Sequence, residues 1–327
     1  MRRRDAVAAA VALIVLAAAA AILVSIRRHA GTAPLTWHTR TGQAALVSVV
    51  DADGEFKYVH TVVADGYSIA GGDMIVSTAA GSPRPSTGTS AMALGSGAQS
   101  TILRWPNARI PYLVDANSIP VDDRRRAWIN AAVEQWNYPQ SPIHLITPPG
   151  AGDKNYVVFR DAATPSVCEA WIGMRAGPGA GRQDILIGSG CGIAQIAHEI
   201  GHTIGLDHEH NRHDRDMFVT IVWPNIINDV GARDAFTPAA TAVGPTTDLG
   251  DYDFKSIMHY NQWEFSKSPA QLPTITVNPG IPGATDLASQ IGMGKTVSPG
   301  DLAAVARLYP PQPATAVQSL QILQGQP

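Results

Sequence analysis

The stretch His198-Glu199-Ile200-Gly201-His202-Thr203-Ile204-Gly205-Leu206-Asp207-His208 decides how this chain is read. It has the form H-E-x-x-H-x-x-G-x-x-H. His198 and His202 are one helical turn apart, so both project from one face of a helix. Ile193, Ile196, Ala197 and Ile200 give that helix a buried side and predict it over about Gly192 to Ile204. Glu199 stands beside the first imidazole, where a carboxylate reaches a metal-bound water without binding the metal itself. Gly205 is free to take positive φ, which stops the helix and reverses the chain, so that His208 returns as a third ligand. Three protein ligands leave one position for water, which marks a catalytic zinc site rather than a structural one. The expected cofactor is a single Zn2+. Histidines on a solvated helix face would need neither the glycine nor the third histidine at these spacings.

The rest of the chain sets the context. Its 327 residues carry a formal net charge of −3 and no long basic run, so nucleic acid is not an expected partner. Arg2-Arg3-Arg4 precede an uncharged Ala/Val/Leu/Ile-rich run at residues 6–26, closed by Arg27-Arg28. That run is long enough to cross a bilayer and longer than the usual apolar core of a signal peptide. Residues 1–28 are therefore read as an uncleaved signal anchor, in preference to a cleaved signal peptide, which places the remainder outside the cytoplasm. There, the two cysteines, Cys168 and Cys191, read either as one disulfide or as two buried thiols. A bridge would close a loop worth about 3 kcal/mol in the chain-entropy account.

Residues 45–50 and 57–63 alternate around Asp51-Ala52-Asp53-Gly54-Glu55 and read as a hairpin. Asp65-Gly66 and Gly71-Gly72-Asp73 are further turn signals. Residues 79–100 are rich in Ser, Gly and Pro without apolar period, which reads as a linker. A helix is expected over 121–138, with Asp122 and Asp123 at its amino end and Trp128, Ile129, Ala132, Val133 and Trp136 as its apolar stripe. Short strands are expected at 143–146, 156–160 and 184–187. A late helix runs from Pro299 to Leu308 behind a Ser298 cap. Strands interspersed with helices indicate an α+β domain. Residues 313–327 form a polar tail.

Beyond the third histidine the chain reads His208-Glu209-His210-Asn211-Arg212-His213-Asp214-Arg215-Asp216, and later Ser256-Ile257-Met258-His259-Tyr260. Together with the zinc motif, these resemble the astacin family of metzincin zinc endopeptidases (peptidase family M12A). The resemblance runs from Arg104 to Pro310. Leu206 stands where the family usually has Phe, and the second family disulfide is missing. The resemblance implies a metzincin catalytic domain over 101–312. It would have two subdomains, a twisted mixed sheet, a backing helix and an active-site helix. Cys168 and Cys191 match the family disulfide that precedes that helix. Glu199 would be the general base, Met258 the hydrophobic floor beneath the metal, and Tyr260 a resting-state ligand that swings away to hold the oxyanion. Glu209 matches the glutamate that binds the freed amino terminus in mature astacins. His210, His213 and His259 are expected to support the site or lie at the surface. Gly71-Gly72-Asp73 resembles the family's F-x-G-D pro-region motif, with Ala70 replacing the aromatic. By that resemblance residues 29–78 are a pro-region, and Asp73 coordinates zinc in the latent state until an activating protease cuts the linker.

The expected function is thus a zinc endopeptidase acting on proteins or peptides, made as a membrane-anchored or exported precursor. Two other classes compete with it. A binding module that no longer catalyses would be expected to lose Glu199 or a ligand, and all are present. An amidase acting on cell-wall peptides is disfavoured by the Ser256–Tyr260 turn and the extension after His208.

Overall fold

The computed structural model describes residues 43–50, 56–64, 67–78, 100–176, 180–237, 248–292 and 296–310. All lie within one compact unit, Thr36–Pro327. The expected anchor at 6–26, most of the linker (79–99) and the tail at 313–327 fall outside the described residues. Among the described residues no helix is long and apolar enough to cross a membrane.

Strands β1 (Gln43–Val50), β2 (Phe56–Ala64), β3 (Tyr67–Ala70) and β4 (Met74–Thr78) form an antiparallel meander, with β1 and β2 paired as the hairpin expected from the alternation. The chain continues through β5 (Ser100–Leu103), β6 (Arg109–Val114), helix α1 (Arg125–Trp136), β7 (His144–Ile146) and β8 (Tyr156–Arg160). Next come β9 (Cys168–Trp171), β10 (Met174–Ala176), β11 (Arg182–Ile187) and helix α2 (Ile193–Ile204). The described elements close with β12 (Val219–Ile221), α3 (Val230–Asp234), β13 (Ile275–Val277), α4 (Ala284–Ala288) and α5 (Pro299–Leu308). Helix α1 starts later than the sequence pattern implies, at Arg125, and Asp123 lies before it with its carboxylate accepting the Arg125 N–H at 2.8 Å. Helix α5 begins where expected, on Ser298, whose hydroxyl accepts the Asp301 N–H at 2.9 Å.

Eleven strands form one sheet in the order β10-β5-β1-β2-β3-β4-β9-β11-β8-β6-β7. Strands β11, β8, β6 and β7 run parallel, while β9 is antiparallel to β11. β4 joins β9 in parallel and β1 joins β5 in parallel, so residues 43–78 belong to the same sheet as the rest. Only Ile172 and Gly173 separate β9 from β10 in sequence, yet five strands lie between them in the sheet. A flat sheet would hold them about 29 Å apart, whereas the intervening chain reaches roughly 20 Å. That part of the sheet therefore curls into a closed ring, sealed by the bent segment from Cys168 to Ala176.

Helices α1 and α2 pack beneath the sheet. Ile129, Ala132, Val133 and Trp136 meet Ile196, Ala197, Ile200 and Ile204 in one core with Ile110, Phe159, Ile185 and Ile187. Each such side chain contributes about 1.5–3 kcal/mol by leaving water. The Trp136 indole N–H donates to the Ala197 carbonyl at 2.9 Å, and the Tyr309 hydroxyl donates to the Ile204 carbonyl at 2.7 Å. A second core gathers Val219, Ile221, Phe236, Phe265, Ile275 and Ile291 around β12 and β13. A third, smaller cluster of Ile75, Val167, Trp171 and Leu186 lies on the opposite sheet face, as the alternation of Leu186 with Ile185 and Ile187 requires.

Candidate metal centre

Helix α2 carries His198 and His202 with ring centroids 4.6 Å apart. Gly205 ends the helix at φ 114°, a left-handed conformation that costs glycine little. The Leu206 N–H returns to the Gly201 carbonyl at 3.0 Å, and the reversed chain brings His208 Nε2 to 3.3 Å from His198 Nε2. Two carbonyls set the tautomers. His198 Nδ1 lies 2.7 Å from the Ile257 oxygen, and His202 Nδ1 lies 2.9 Å from the Leu206 oxygen. A carbonyl only accepts, so both Nδ1 atoms carry a proton and both Nε2 atoms face inward, where they would be the metal-binding atoms.

A fourth group arrives from the turn between β3 and β4. Asp73, fully buried, places Oδ2 3.2 Å from His198 Nε2 and Oδ1 3.4 and 3.2 Å from His202 and His208 Nε2. The four potential ligand atoms all lie within 4.8 Å of one another. His202 Nε2 is buried and hydrogen-bonded to nothing among the described residues. Burial drives the His208 imidazole down to about 3, against the pull of Asp73, so it stands neutral as a metal ligand must. Three imidazoles and a carboxylate oxygen converging in a dry pocket suit zinc.

Glu199 is 1% exposed, and its Oε2 has no hydrogen-bond partner among the described residues. Burial, and then the charges of Asp73 and Glu169, hold its carboxyl well above the usual carboxylate range. Glu169 is a buried carboxylate on β9 that the sequence pattern did not single out.

Met258 sits directly beneath α2. A Cβ on Gly201 would overlap its Sδ, so the helix approaches this closely only because that position is glycine. The turn around Met258 is gripped by Asp301 of α5, another residue the sequence reading missed. Its carboxylate accepts from the Ser256 hydroxyl at 2.6 Å, the Ile257 N–H at 2.9 Å and the Ser298 N–H at 2.8 Å. Asp301 thereby fixes the Ile257 carbonyl that orients His198. The S-x-x-D spacing from Ser298 to Asp301 is a capping box, and it was the available signal.

Tyr260 is buried, stacks on the His210 ring at 4.0 Å between centroids, and donates its hydroxyl to the Gly71 carbonyl. His210 and His259 lie outside the ligand cluster, bonded to Ala235 O and to Tyr260 O and Tyr252 OH respectively. His213 lies near Asp248, at 3.6 Å. Glu209 accepts the Asp253 N–H at 2.8 Å, and burial pushes its carboxyl up to about 8. Cys168 and Cys191 form a disulfide that ties β9 to the loop before α2.

Residues 97–310 match Astacin (Peptidase family M12A). The chain is 32% identical over 209 residues to zinc metalloproteinase nas-7 of Caenorhabditis elegans, covering 63% of this chain and 48% of that protein. It is 34% identical over 209 residues to human tolloid-like protein 1, covering 63% and 19%. It thus spans about half or less of the length of these curated relatives. Among solved structures it is similar to high choriolytic enzyme 1, a hatching enzyme zinc-protease from Oryzias latipes (Medaka fish). That match has 26% identity and a TM-score of 0.50, covering 64% of this chain and 94% of that one. Strands β1 to β4 precede the matched residues, and the zinc motif, Met258 and Tyr260 lie inside them. Over residues 97–310, this chain belongs to the astacin family.

Proposed function

We propose that this chain is a zinc-dependent endopeptidase held latent by its own amino-terminal strands. The observation that carries this reading is the convergence of three inward-facing Nε2 atoms beside Glu199, inside the family match. Zinc bound by His198, His202 and His208 would supply a Lewis acid for the scissile carbonyl and acidify the attacking water. Glu199 takes the proton from that water and passes it to the departing amine, a role its buried, metal-adjacent carboxylate suits. Tyr260 donates its hydroxyl to the developing oxyanion, and by family resemblance it ligates the metal at rest. Here that hydroxyl is donated to the Gly71 carbonyl, and the Asp73 carboxylate faces the same Nε2 atoms that would hold the zinc. β4 lies along β9, the edge on which an extended protein or peptide substrate pairs once residues 43–78 are gone.

Cleavage within 79–100 by a second protease starts the release, and Glu209 then receives the new amino terminus. Export fits the disulfide between Cys168 and Cys191, with residues 6–26 as the membrane anchor. Carbonate extraction of membranes from cells expressing the full chain tests the anchor: an anchored chain stays with the lipid.

The deciding assay measures hydrolysis of an unstructured protein by the chain at nanomolar concentration after limited proteolysis of the linker. Glu199→Ala should lower the rate by roughly 10²- to 10⁴-fold, and a chelator should abolish it in the parent. Cleavage indifferent to both would remove the proposal.

A further inference from the structure

We propose that the amino-terminal strands stay bound after the linker is cut, so that the severed pro-region is a tight inhibitor occupying β9, β5 and the zinc cleft. This rests on the latent-precursor reading above. It follows from how the ring closes. Every described contact between residues 43–78 and the family-matched region is non-covalent and lies away from 79–99. On one side β4 pairs with β9 at Met74↔Ala170 and Ile75↔Trp171, and the Ala170 N–H donates to the Asp73 carbonyl at 3.3 Å. On the other side β1 pairs with β5 at Val49↔Ser100 and Val50↔Thr101. β5 follows the linker, so a cut within 79–99 leaves both seams intact. A strand gripped along two edges of one closed ring has no free edge from which to peel.

Three side-chain contacts reinforce the seams. Ile75, fully buried, packs with Val167, Trp171 and Leu186 of the family-matched region. Tyr67 sets its ring edge-on to Trp171 at 6.4 Å, beside the Asp184 carboxylate. Val62 lies against Gly231 of α3. Asp73 and the Tyr260 hydroxyl then join the two parts at the metal centre itself. Simultaneous attachment at several points makes each contact intramolecular once the first has formed, which multiplies their strength. Activation on this account needs two events: the cut, and then destruction or displacement of the severed piece.

The test uses the full chain with a site for a protease of unrelated specificity placed within 79–99. A Glu199→Ala background is used for size-exclusion, so that no self-digestion intervenes. At about 1 µM the cut pieces should co-elute, and the cut parent should be about ten-fold less active than cut Ile75→Asp, its specific activity climbing on dilution. Ile75→Asp drives a charge against Trp171 and Leu186. Tyr67→Ala, which removes the ring contact with Trp171, gives the same release by a gentler route. Pieces that separate at that concentration, with full activity at once, would overturn the inference while leaving the endopeptidase reading standing. Conversely, a released Ile75→Asp chain that cleaves nothing would defeat the endopeptidase reading, while co-elution of the parent pieces would still uphold persistent binding.

Discussion

Two regions meet at the metal centre by very different means. His198, His202 and His208 come from eleven consecutive residues, placed by the turn of one helix and the reversal at Gly205. Asp73 lies more than a hundred residues earlier and arrives on a hairpin tip whose position depends on pairing with β9. The first arrangement is local and robust. The second is a tertiary docking, and so reversible. On the proposed reading as a precursor, the chemistry would sit on the locally built element and the restraint on the docked one.

The contrast can be broken or sharpened by substitution. The largest effect is expected from Asp73→Ala in the uncut chain, which removes the docked carboxylate while leaving the helix untouched. Hydrolysis of an unstructured protein should rise about 10- to 100-fold over the uncut parent, the loss of one or two charge-assisted contacts. A mutant as silent as its parent would show that β4, not the carboxylate, does the blocking. Next comes the joint between the two regions. Replacing both Cys168 and Cys191 by serine should lower unfolding stability by about 3 kcal/mol in denaturant titration, because β9 is no longer tied to the start of α2. An unchanged midpoint would mean that sheet pairing alone holds β9.

Gly201→Ala probes the local element itself. The added methyl meets Met258 Sδ, and overpacking of this kind costs about 1–3 kcal/mol. Thermal unfolding reads it, and a neutral result would show that Met258 has room to retreat. The smallest effect is expected far from both regions. Asp123 hydrogen-bonds the largely buried Arg125 guanidinium at 2.6 Å, and that bond holds its carboxyl below the usual range. A lowered folded value contributes stability at pH above the unfolded value and loses it as pH falls through the folded one. Asp123→Asn should therefore cost about 1 kcal/mol at neutral pH, with the deficit fading below about pH 4. A deficit that persisted in acid would show that the ion pair with Arg125 is not its source.

Much of the catalytic region was legible because its signals are local. The motif at 198–208, the stripe of α1 and the Ser298 start of α5 each depend on residues within a turn or two of one another. What escaped was non-local. β9 and β10 are too short to announce themselves, and they are strands because β4, β5 and β11 pair with them. Glu169 became notable only once β9 lay beside the site. Asp301 carried a readable capping signal, but its reach to Ile257 spans 44 positions and depends on α5 packing under the turn.

The sequence by itself determined the family and the clustering of three histidines beside a glutamate, because helical periodicity and one glycine place three imidazoles and a carboxylate with little help from elsewhere. Only the tertiary structure decided what lies opposite them. Asp73 at the three Nε2 atoms, Tyr260 turned to Gly71, and a ring of strands closed through β9 and β10 all arise from pairings between distant segments. Such pairings follow from the summed fit of edges and buried faces, which no local pattern encodes.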